Sequence, residues 1–77
     1  MKLVQILGPG CPKCEKLKHN AEEAVKQAGV EATVEKITDI GTITSFGVMM
    51  TPALAVDGEV KVVGKVASVD EIKRLLA

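Results

Sequence analysis

Apolar residues recur along the first third of the chain in two different patterns. Lys2 to Leu7 is a short apolar run with one polar interruption, which is typical of a buried β-strand. Gly8-Pro9-Gly10 ends this run, because glycine and proline interrupt regular structure. From Pro12 to Ala28 the apolar residues follow a helical spacing, and Gly29 supplies the left-handed stop that often ends a helix. The apolar positions of this predicted helix are Leu17, Ala21, Ala24, Val25 and Ala28.

The middle of the chain predicts a second strand and a short second helix. The strand runs from Val30 to Ile37, where polar and apolar residues alternate. Asp39 is placed to cap a helix that continues through Phe46, and Gly47 ends it. The residues that we expect to face inward are Val30, Ala32 and Val34 in the strand and Ile40 and Ile43 in the helix.

The last third of the chain predicts a hairpin followed by a third helix. Two short apolar segments, Ala53–Val56 and Glu59–Val63, are separated by Asp57-Gly58, which favours the positive φ angles of a tight type I′ turn. Ser68-Val69-Asp70-Glu71 has the spacing of a capping box and therefore marks the start of a helix. The apolar residues of that helix are Ile72, Leu75 and Leu76.

These elements predict an α/β fold in a single domain that covers residues 1–77, in the order strand, helix, strand, helix, strand, strand, helix. The first two strands are joined by a long helix, so we expect them to lie parallel through a right-handed crossover. The hairpin adds two antiparallel strands. The predicted result is a four-stranded mixed sheet with helices on its faces.

Composition and charge argue against several classes of partner. Ten acidic residues balance ten basic ones and Phe46 is the single aromatic residue, so the chain lacks the positive charge and the stacking surfaces that nucleic-acid binding uses. The longest apolar runs are about five residues, far short of the roughly 20 that a membrane helix needs. Met1 and Lys2 lead into the first strand without the pattern of a signal peptide. We expect a cytoplasmic monomer that binds neither nucleic acid nor membrane.

Two cysteines, Cys11 and Cys14, lie three positions apart where the first strand gives way to the first helix. A disulfide between them closes too short a loop to stabilise the fold much, which favours a chemical role. Cys11 is expected at the N-cap, where unpaired amides and the helix dipole lower a thiol's pKa. Pro12 suits the first helical position, and Lys13 and Lys16 add positive charge nearby.

This arrangement predicts thiol–disulfide exchange without a metal or an organic cofactor. Cys11 attacks a substrate disulfide and forms a mixed disulfide, and Cys14 then attacks Cys11 and releases the reduced substrate. The two-residue spacing makes this second step intramolecular. A structural zinc site needs four ligands, and besides the two cysteines only His19 is of the right kind, at a helix position that favours solvent.

Two motifs resemble the thioredoxin–glutaredoxin superfamily, and the similarity covers nearly the whole chain. They are Gly10-Cys11-Pro12-Lys13-Cys14 after the first strand and Thr51-Pro52 before the hairpin. The chain looks like the small redox-active disulfide proteins of archaea and bacteria, a minimal thioredoxin-like family. The resemblance implies an oxidoreductase that reduces protein disulfides and takes electrons from a thioredoxin-reductase-type donor. Within the first motif, Gly10, Pro12 and Lys13 would tune the two cysteines.

The resemblance also implies roles for residues outside the dithiol. Thr51-Pro52 would be a cis peptide packed against the dithiol, and the Thr51 backbone would pair with a bound substrate chain. Met49 and Met50 either form an adaptable apolar rim for substrates or fill the core. Typical thioredoxins bury an acidic residue behind the dithiol, and the first strand of this chain offers only Gln5 near that place.

Two other functions stay open for the same cysteine pair. One is a soft-metal chaperone of ferredoxin-like fold, which would bind Cu(I) through two thiolates. That fold ends on a strand, whereas this chain is predicted to end on a helix. The other is a redox sensor in which oxidation of Cys11 and Cys14 changes a surface without catalytic turnover. The sequence favours the oxidoreductase over the metal chaperone and does not separate it from the sensor.

Overall fold

The computed structural model describes residues 2–10 and 12–76, and this part of the chain forms four strands and three helices. The order of elements along the chain is the predicted one, and the predicted α/β class with a mixed sheet is confirmed. None of the helices in these ranges is long and apolar enough to cross a membrane. The strands are β1 (Lys2–Leu7), β2 (Ala32–Ile37), β3 (Ala53–Val56) and β4 (Glu59–Val63), and the helices are α1 (Pro12–Ala28), α2 (Ile40–Ser45) and α3 (Val69–Leu76).

The four strands form one sheet in the lateral order β2-β1-β3-β4. β1 lies parallel to β2, in a register that pairs Lys2 with Ala32, as the long connecting helix predicts. β3 is antiparallel to both β1 and β4, so the hairpin joins the sheet through its first strand. The pairing of β3 with β4 shifts register between Leu54 and Ala55, which the sequence does not predict.

Alternation along the strands separates two apolar clusters, one on each face of the sheet. Val4 and Ile6 of β1 pack on the face covered by α1 and α3, whereas Leu7 packs on the face covered by α2. The larger cluster consists of Val4, Ile6, Leu17, Ala21, Ala24, Leu54, Val56, Val62, Ala67, Ile72 and Leu76, and the smaller one of Leu7, Ile43, Val48 and Ala53. Because β1 is packed on both faces, its carboxyl end is held in place where it meets α1.

Two element boundaries differ from those that the sequence predicts. β2 begins at Ala32 rather than at Val30, although Val30 still packs against the larger cluster. α2 ends at Ser45, and Phe46 is its C-cap rather than its last helical residue. Both differences are of one or two residues, which is the usual uncertainty at the ends of elements.

Two apolar residues of the predicted helices are exposed, and one of them is predicted to face inward. Ile40 is 60% exposed, so the prediction that it faces inward is wrong. Ile43 and Val48 cover the smaller cluster, and Ile40, the first residue of α2, is not part of it. Ala28, the last residue of α1, is also exposed.

The predicted cap of α2 and the predicted hairpin turn are confirmed. The Asp39 carboxylate accepts a hydrogen bond from the backbone N–H of Thr42 at 2.8 Å. This bond lowers the pKa of the Asp39 carboxyl below its ordinary value. Asp57 and Gly58 have φ angles of 53° and 82°, as a type I′ turn requires at both central positions.

Helix α3 is anchored by its predicted capping box and by a long-range hydrogen bond. The Glu71 N–H donates to Ser68 Oγ at 3.1 Å, and the Ser68 N–H donates to the Glu71 carboxylate at 3.4 Å. Lys65 Nζ also donates to that carboxylate, at 2.9 Å. The Asn20 side-chain amide of α1 donates to the carbonyl oxygen of Ala67 at 2.9 Å. The segment between β4 and α3 is thus tied to both helices.

Candidate active site

The predicted dithiol lies at the junction of β1 and α1. β1 ends at Leu7 and α1 begins at Pro12, so the turn between them is short. Cys11 lies outside the described residues. Its position at the helix N-cap, its thiolate and its distance from Cys14 therefore stay predictions.

The residues predicted to tune the cysteines surround this turn on its solvent side. Gly10 has a φ of 97°, and no described atom lies within 4 Å of the place that a Cβ would take. Glycine is favoured there by the backbone conformation alone. Pro12 begins α1, as its fixed φ predicts. Pro12, Lys13 and Lys16 are exposed, so the two ammonium groups extend into solvent around the start of the helix.

Cys14 is fully buried in the first turn of α1, on the side of the helix that faces the end of β1. Gly8, directly after β1, lies against it. A Cβ built on Gly8 would overlap the Cys14 Sγ and would lie 3.2 Å from the Cys14 Cβ and 3.9 Å from the Pro52 Cα. Three segments therefore meet around the Cβ position of Gly8: the end of β1, the first turn of α1 and the Thr51-Pro52 segment.

The Thr51-Pro52 peptide bond is cis, as the resemblance implies. Pro52 is fully buried, whereas Thr51 is exposed. The Pro52 carbonyl accepts a hydrogen bond from the Gly64 N–H at 2.9 Å, which ties the segment to the end of β4. Regular pairing of β3 begins only at Ala53, so the backbone of Thr51 precedes the paired part of the sheet.

The two methionines before this peptide bond lie on the surface. Met49 is 93% exposed and Met50 is 63% exposed, so the alternative in which they fill the core is wrong. The Met50 side chain lies against Gly64, whose Cβ position is 3.3 Å from Met50 Cβ and 3.4 Å from Met50 Cε. Val63, which precedes Gly64 in the sequence, is also exposed. We call Met49, Met50 and Val63 the apolar rim.

An ion pair beside the buried thiol is not predicted from the sequence. Lys36 at the end of β2 donates a hydrogen bond to the Glu15 carboxylate in the first turn of α1. This hydrogen bond, and the positive charge behind it, lower the pKa of the Glu15 carboxyl. The negative charge that follows Cys14 in the sequence is therefore balanced locally by a lysine from the sheet.

Gln5 does not lie behind the buried thiol. Val4 and Ile6 face α1, so Gln5, which lies between them, faces the opposite side of the sheet. Its side-chain amide donates to the Glu35 carboxylate at 3.4 Å on β2. Within residues 2–10 and 12–76, no buried side chain is polar or charged. Gln5, which the sequence offers near the place of the acidic residue in typical thioredoxins, thus lies on the face of the sheet opposite to α1.

Metal ligands do not cluster in the described part of the chain. No group of three or more His, Cys, Asp or Glu side chains is arranged there to hold a metal ion, and His19 is exposed. This does not test metal binding by the cysteine pair itself, because Cys11 lies outside these residues. In the described residues α2 lies between β2 and β3, which is contrary to the order strand, helix, strand, strand, helix, strand of the ferredoxin-like fold that the metal-chaperone alternative requires.

Sequence reasoning misses two residues of this site, Gly8 and Lys36. The sequence pattern marks Gly8 only as the end of a strand, and it does not distinguish Gly8 from Gly10, whose Cβ position is open. Lys36 lies 21 positions from Glu15, and the sequence carries no signal for that contact beyond the parallel pairing of β1 and β2.

Comparisons with known proteins agree with this geometry. A family described as "Thioredoxin domain" matches residues 2–77. A protein named "Thioredoxin" from Methanothermobacter thermautotrophicus is 48% identical over 77 residues, which cover all of both chains. Another protein of that name, from Methanocaldococcus jannaschii, is 40% identical over 76 residues, which cover 99% of this chain and 87% of the relative. A "Probable Thioredoxin" from Methanothermobacter marburgensis is 34% identical over 67 residues, covering 83% of this chain and 79% of the relative.

Proposed function

This chain belongs to the thioredoxin domain family, and we propose that it is a protein-disulfide reductase in which Cys11 attacks and Cys14 resolves. The observation that supports the roles is the placement of Cys14, fully buried in the first turn of α1 against Gly8 at the end of β1. A buried thiol is poorly placed to attack a protein disulfide that arrives from solvent. It is well placed to attack a neighbouring sulfur once a mixed disulfide has formed.

The reaction consists of two exchange steps, each of which conserves the number of S–S bonds. In the first, the Cys11 thiolate attacks one sulfur of the substrate, forms a mixed disulfide and releases the other substrate sulfur as a thiolate. In the second, the Cys14 sulfur, having lost its proton, attacks Cys11 and releases the remaining substrate thiolate. Both released thiolates end as thiols with the two protons that the protein's dithiol has given up. The substrate gains two electrons, and the protein is left with a Cys11–Cys14 disulfide.

The surface around the site supports a protein substrate. The two methionines of the apolar rim offer flexible, polarisable side chains that adapt to different partners. Thr51 is exposed, and its backbone is the segment that would pair with an extended substrate chain. Return of the protein to its dithiol form requires an external dithiol reductant, for which we propose a thioredoxin-reductase-type donor. The proposed location is the cytoplasm, where disulfides are kept reduced.

Cysteine variants test the two roles separately. In an insulin-reduction assay with dithiothreitol, the wild-type protein is expected to accelerate precipitation, and Cys11→Ser is expected to abolish that effect. Cys14→Ser is expected to accumulate a mixed disulfide with the substrate, detectable by mass spectrometry. If Cys14→Ser accumulates no adduct while Cys11→Ser still reacts with disulfides, the assignment of the two roles is reversed.

The contribution of local charge is tested by a matched pair of lysine variants. Lys13→Ala removes a positive charge from the first turn of α1, and Lys26→Ala removes one from the last turn of the same helix, where the side chain is also exposed. The first variant is expected to slow alkylation of Cys11 by iodoacetamide at pH 7, because a thiolate near a helix start is stabilised by nearby cations. The second is expected to leave that rate unchanged. Equal effects of the two variants contradict local stabilisation.

The alternatives make different predictions in two further measurements. A metal chaperone retains Cu(I) against a competing chelator, and loses that capacity in either cysteine variant, without accelerating disulfide reduction. A sensor changes its surface on oxidation but shows no repeated turnover with a reductase or with dithiothreitol. Repeated turnover that depends on both cysteines supports the reductase.

A further inference from the structure

We propose that Gly8 is a positioning residue for Cys14, because its missing side chain leaves the space that the Cys14 sulfur occupies. This proposal rests on the proposed function, in which Cys14 resolves the mixed disulfide. The direct observation is steric: any side chain at position 8 would begin with a Cβ that overlaps the Cys14 Sγ. Real Cβ atoms do not approach another atom so closely, so one of the two must move.

The backbone conformation does not by itself require glycine at position 8. Gly10, two residues later, has a φ of 97° with open space around its Cβ position. Gly8 is the reverse case, since its φ lies outside the left-handed region and its Cβ position is occupied. Alanine could therefore adopt the backbone conformation of Gly8 without strain. What alanine could not do is share the space with the sulfur.

The backbone at Gly8 is held by the sheet, so we expect the thiol to be the group that moves. The Gly8 N–H donates to the Ile37 carbonyl at 2.9 Å, which continues the pairing of β1 with β2 beyond the end of the strand. The Gly8 residue is buried. The Cys14 Cβ is fixed by α1, whose Leu17 and Ala21 lie in the larger cluster. Only rotation about χ1 of Cys14 remains, and a 120° rotation carries Sγ by roughly 3 Å.

Such a displacement is large on the scale that nucleophilic attack tolerates. A misplacement of about 1 Å in a reacting group can lower a rate by roughly 100-fold. Attack of Cys14 on the mixed disulfide should therefore be slowed by the Gly8→Ala substitution. The first step depends on Cys11 and the substrate alone, so it should be affected much less.

The kinetic test separates the two steps in a single turnover with a disulfide-bonded peptide. In Gly8→Ala, formation of the mixed disulfide is expected to stay within about twofold of the wild-type rate, and its resolution is expected to slow at least tenfold, consistent with the misplacement argument. Ile72→Val, which removes one methyl group from the larger cluster on α3, controls for general loss of stability and should slow neither step. A folded Gly8→Ala protein that resolves the mixed disulfide at the wild-type rate overturns the proposal.

A stability cycle decides the matter even if Gly8→Ala folds poorly. Urea unfolding midpoints are compared for Gly8→Ala in the wild-type background and in a Cys14→Ala background, where the overlapping sulfur is absent. The shift caused by Gly8→Ala should shrink to less than half in the second background. Equal shifts, or failure to fold in both backgrounds, overturn the proposal. A wild-type protein that reduces no disulfide contradicts the proposed function instead, and the cycle still measures the contact.

Discussion

The hydrogen bond between Asn20 and Ala67 allows a sharp test of how the segment before α3 is held. The Asn20 Nδ2 donates to the Ala67 carbonyl oxygen at 2.9 Å across 47 positions of sequence. Asn20 is half-buried and Ala67 is fully buried, so water replaces a lost donor poorly. Asn20→Asp keeps the shape of the side chain but replaces the N–H donor by a second acceptor.

The expected cost follows from the two effects of that change. Loss of a neutral hydrogen bond lowers stability by about 1 kcal/mol, and an unsatisfied buried acceptor adds about 1–2 kcal/mol. Asn20→Asp should therefore destabilise the fold by roughly 2–3 kcal/mol at pH 7. That is a large part of the total of roughly 4–12 kcal/mol expected for a chain of this length. Asn20→Ala also removes the donor and leaves the Ala67 acceptor unsatisfied, so by the same reasoning it should cost about 2–3 kcal/mol, without adding a charge.

The cost of Asn20→Asp should also depend on pH. In its protonated form the introduced carboxyl would again donate to the Ala67 carbonyl, so folding favours that form and raises the pKa of the carboxyl above its unfolded value. A raised folded-state pKa gives stability that is fully present below the unfolded pKa and is lost as pH rises. The destabilisation should therefore develop between about pH 4 and pH 6, since one pKa unit corresponds to about 1.4 kcal/mol.

Urea unfolding followed by far-UV circular dichroism measures these differences, because the chain has no Trp or Tyr for fluorescence. With a slope of about 1 kcal/mol per molar urea, the midpoint of Asn20→Asp should fall by roughly 2 M at pH 7. Gln27→Glu makes the same amide-to-carboxylate change at an exposed position of α1. It replaces a 3.4 Å hydrogen bond to Glu23 by a like-charge pair, and should shift the midpoint by less than about 1 M. Equal midpoints for Asn20→Asp and Gln27→Glu at pH 7, or a cost that grows as pH falls, refute the reasoning.

Three further predictions concern the core and the start of α3. Leu54→Ala, at a fully buried position of β3, should lower the free energy of unfolding by about 2–5 kcal/mol, whereas Val63→Ala at an exposed position should change it by less than about 0.5 kcal/mol; equal effects in urea contradict the cluster assignment. Ser68→Ala should cost about 1 kcal/mol through the lost cap and lower the thermal midpoint by roughly 4–8 °C, and an unchanged midpoint would argue against the capping box. The Lys65 and Ser68 hydrogen bonds lower the pKa of Glu71, so Glu71 contributes stability that is present above its unfolded pKa and is lost as pH falls through the folded value; Glu71→Gln should remove that part of the acid dependence in urea midpoints measured from pH 7 to pH 3.

The parts of the fold that the sequence predicts are those with local signals. α1 begins at Pro12 and is followed by Gly29 because both residues act on their own backbone. The Asp57-Gly58 turn likewise depends on two adjacent φ angles. The order of elements then restricts the sheet to few arrangements, which is why the parallel and antiparallel pairings are predictable.

The parts that the sequence does not predict are those that depend on distant contacts. Ile40 is exposed because Ile43, and not Ile40, packs into the smaller cluster. The spacing of apolar residues along α2 does not show which of the two is buried. Contact between Gly8 and Cys14 depends on the angle at which α1 leaves the sheet. The cis bond before Pro52 is predicted only through the family resemblance, because most bonds of this kind are trans. For the candidate site, the sequence thus identifies the residues proposed to react but not the packing that holds one of them.

The lateral order of the strands has a consequence for contacts between copies of the chain. β2 and β4 are the two edge strands of the sheet, and an edge strand has backbone groups that can pair with a strand of another molecule. Both edge strands carry charged side chains, which are Glu35 and Lys36 on β2 and Glu59 and Lys61 on β4. Pairing of two edge strands would bring these charged side chains close together and remove water from around them. These charges therefore disfavour extension of the sheet from one molecule into the next at high concentration, in a small chain that is 47% hydrophobic.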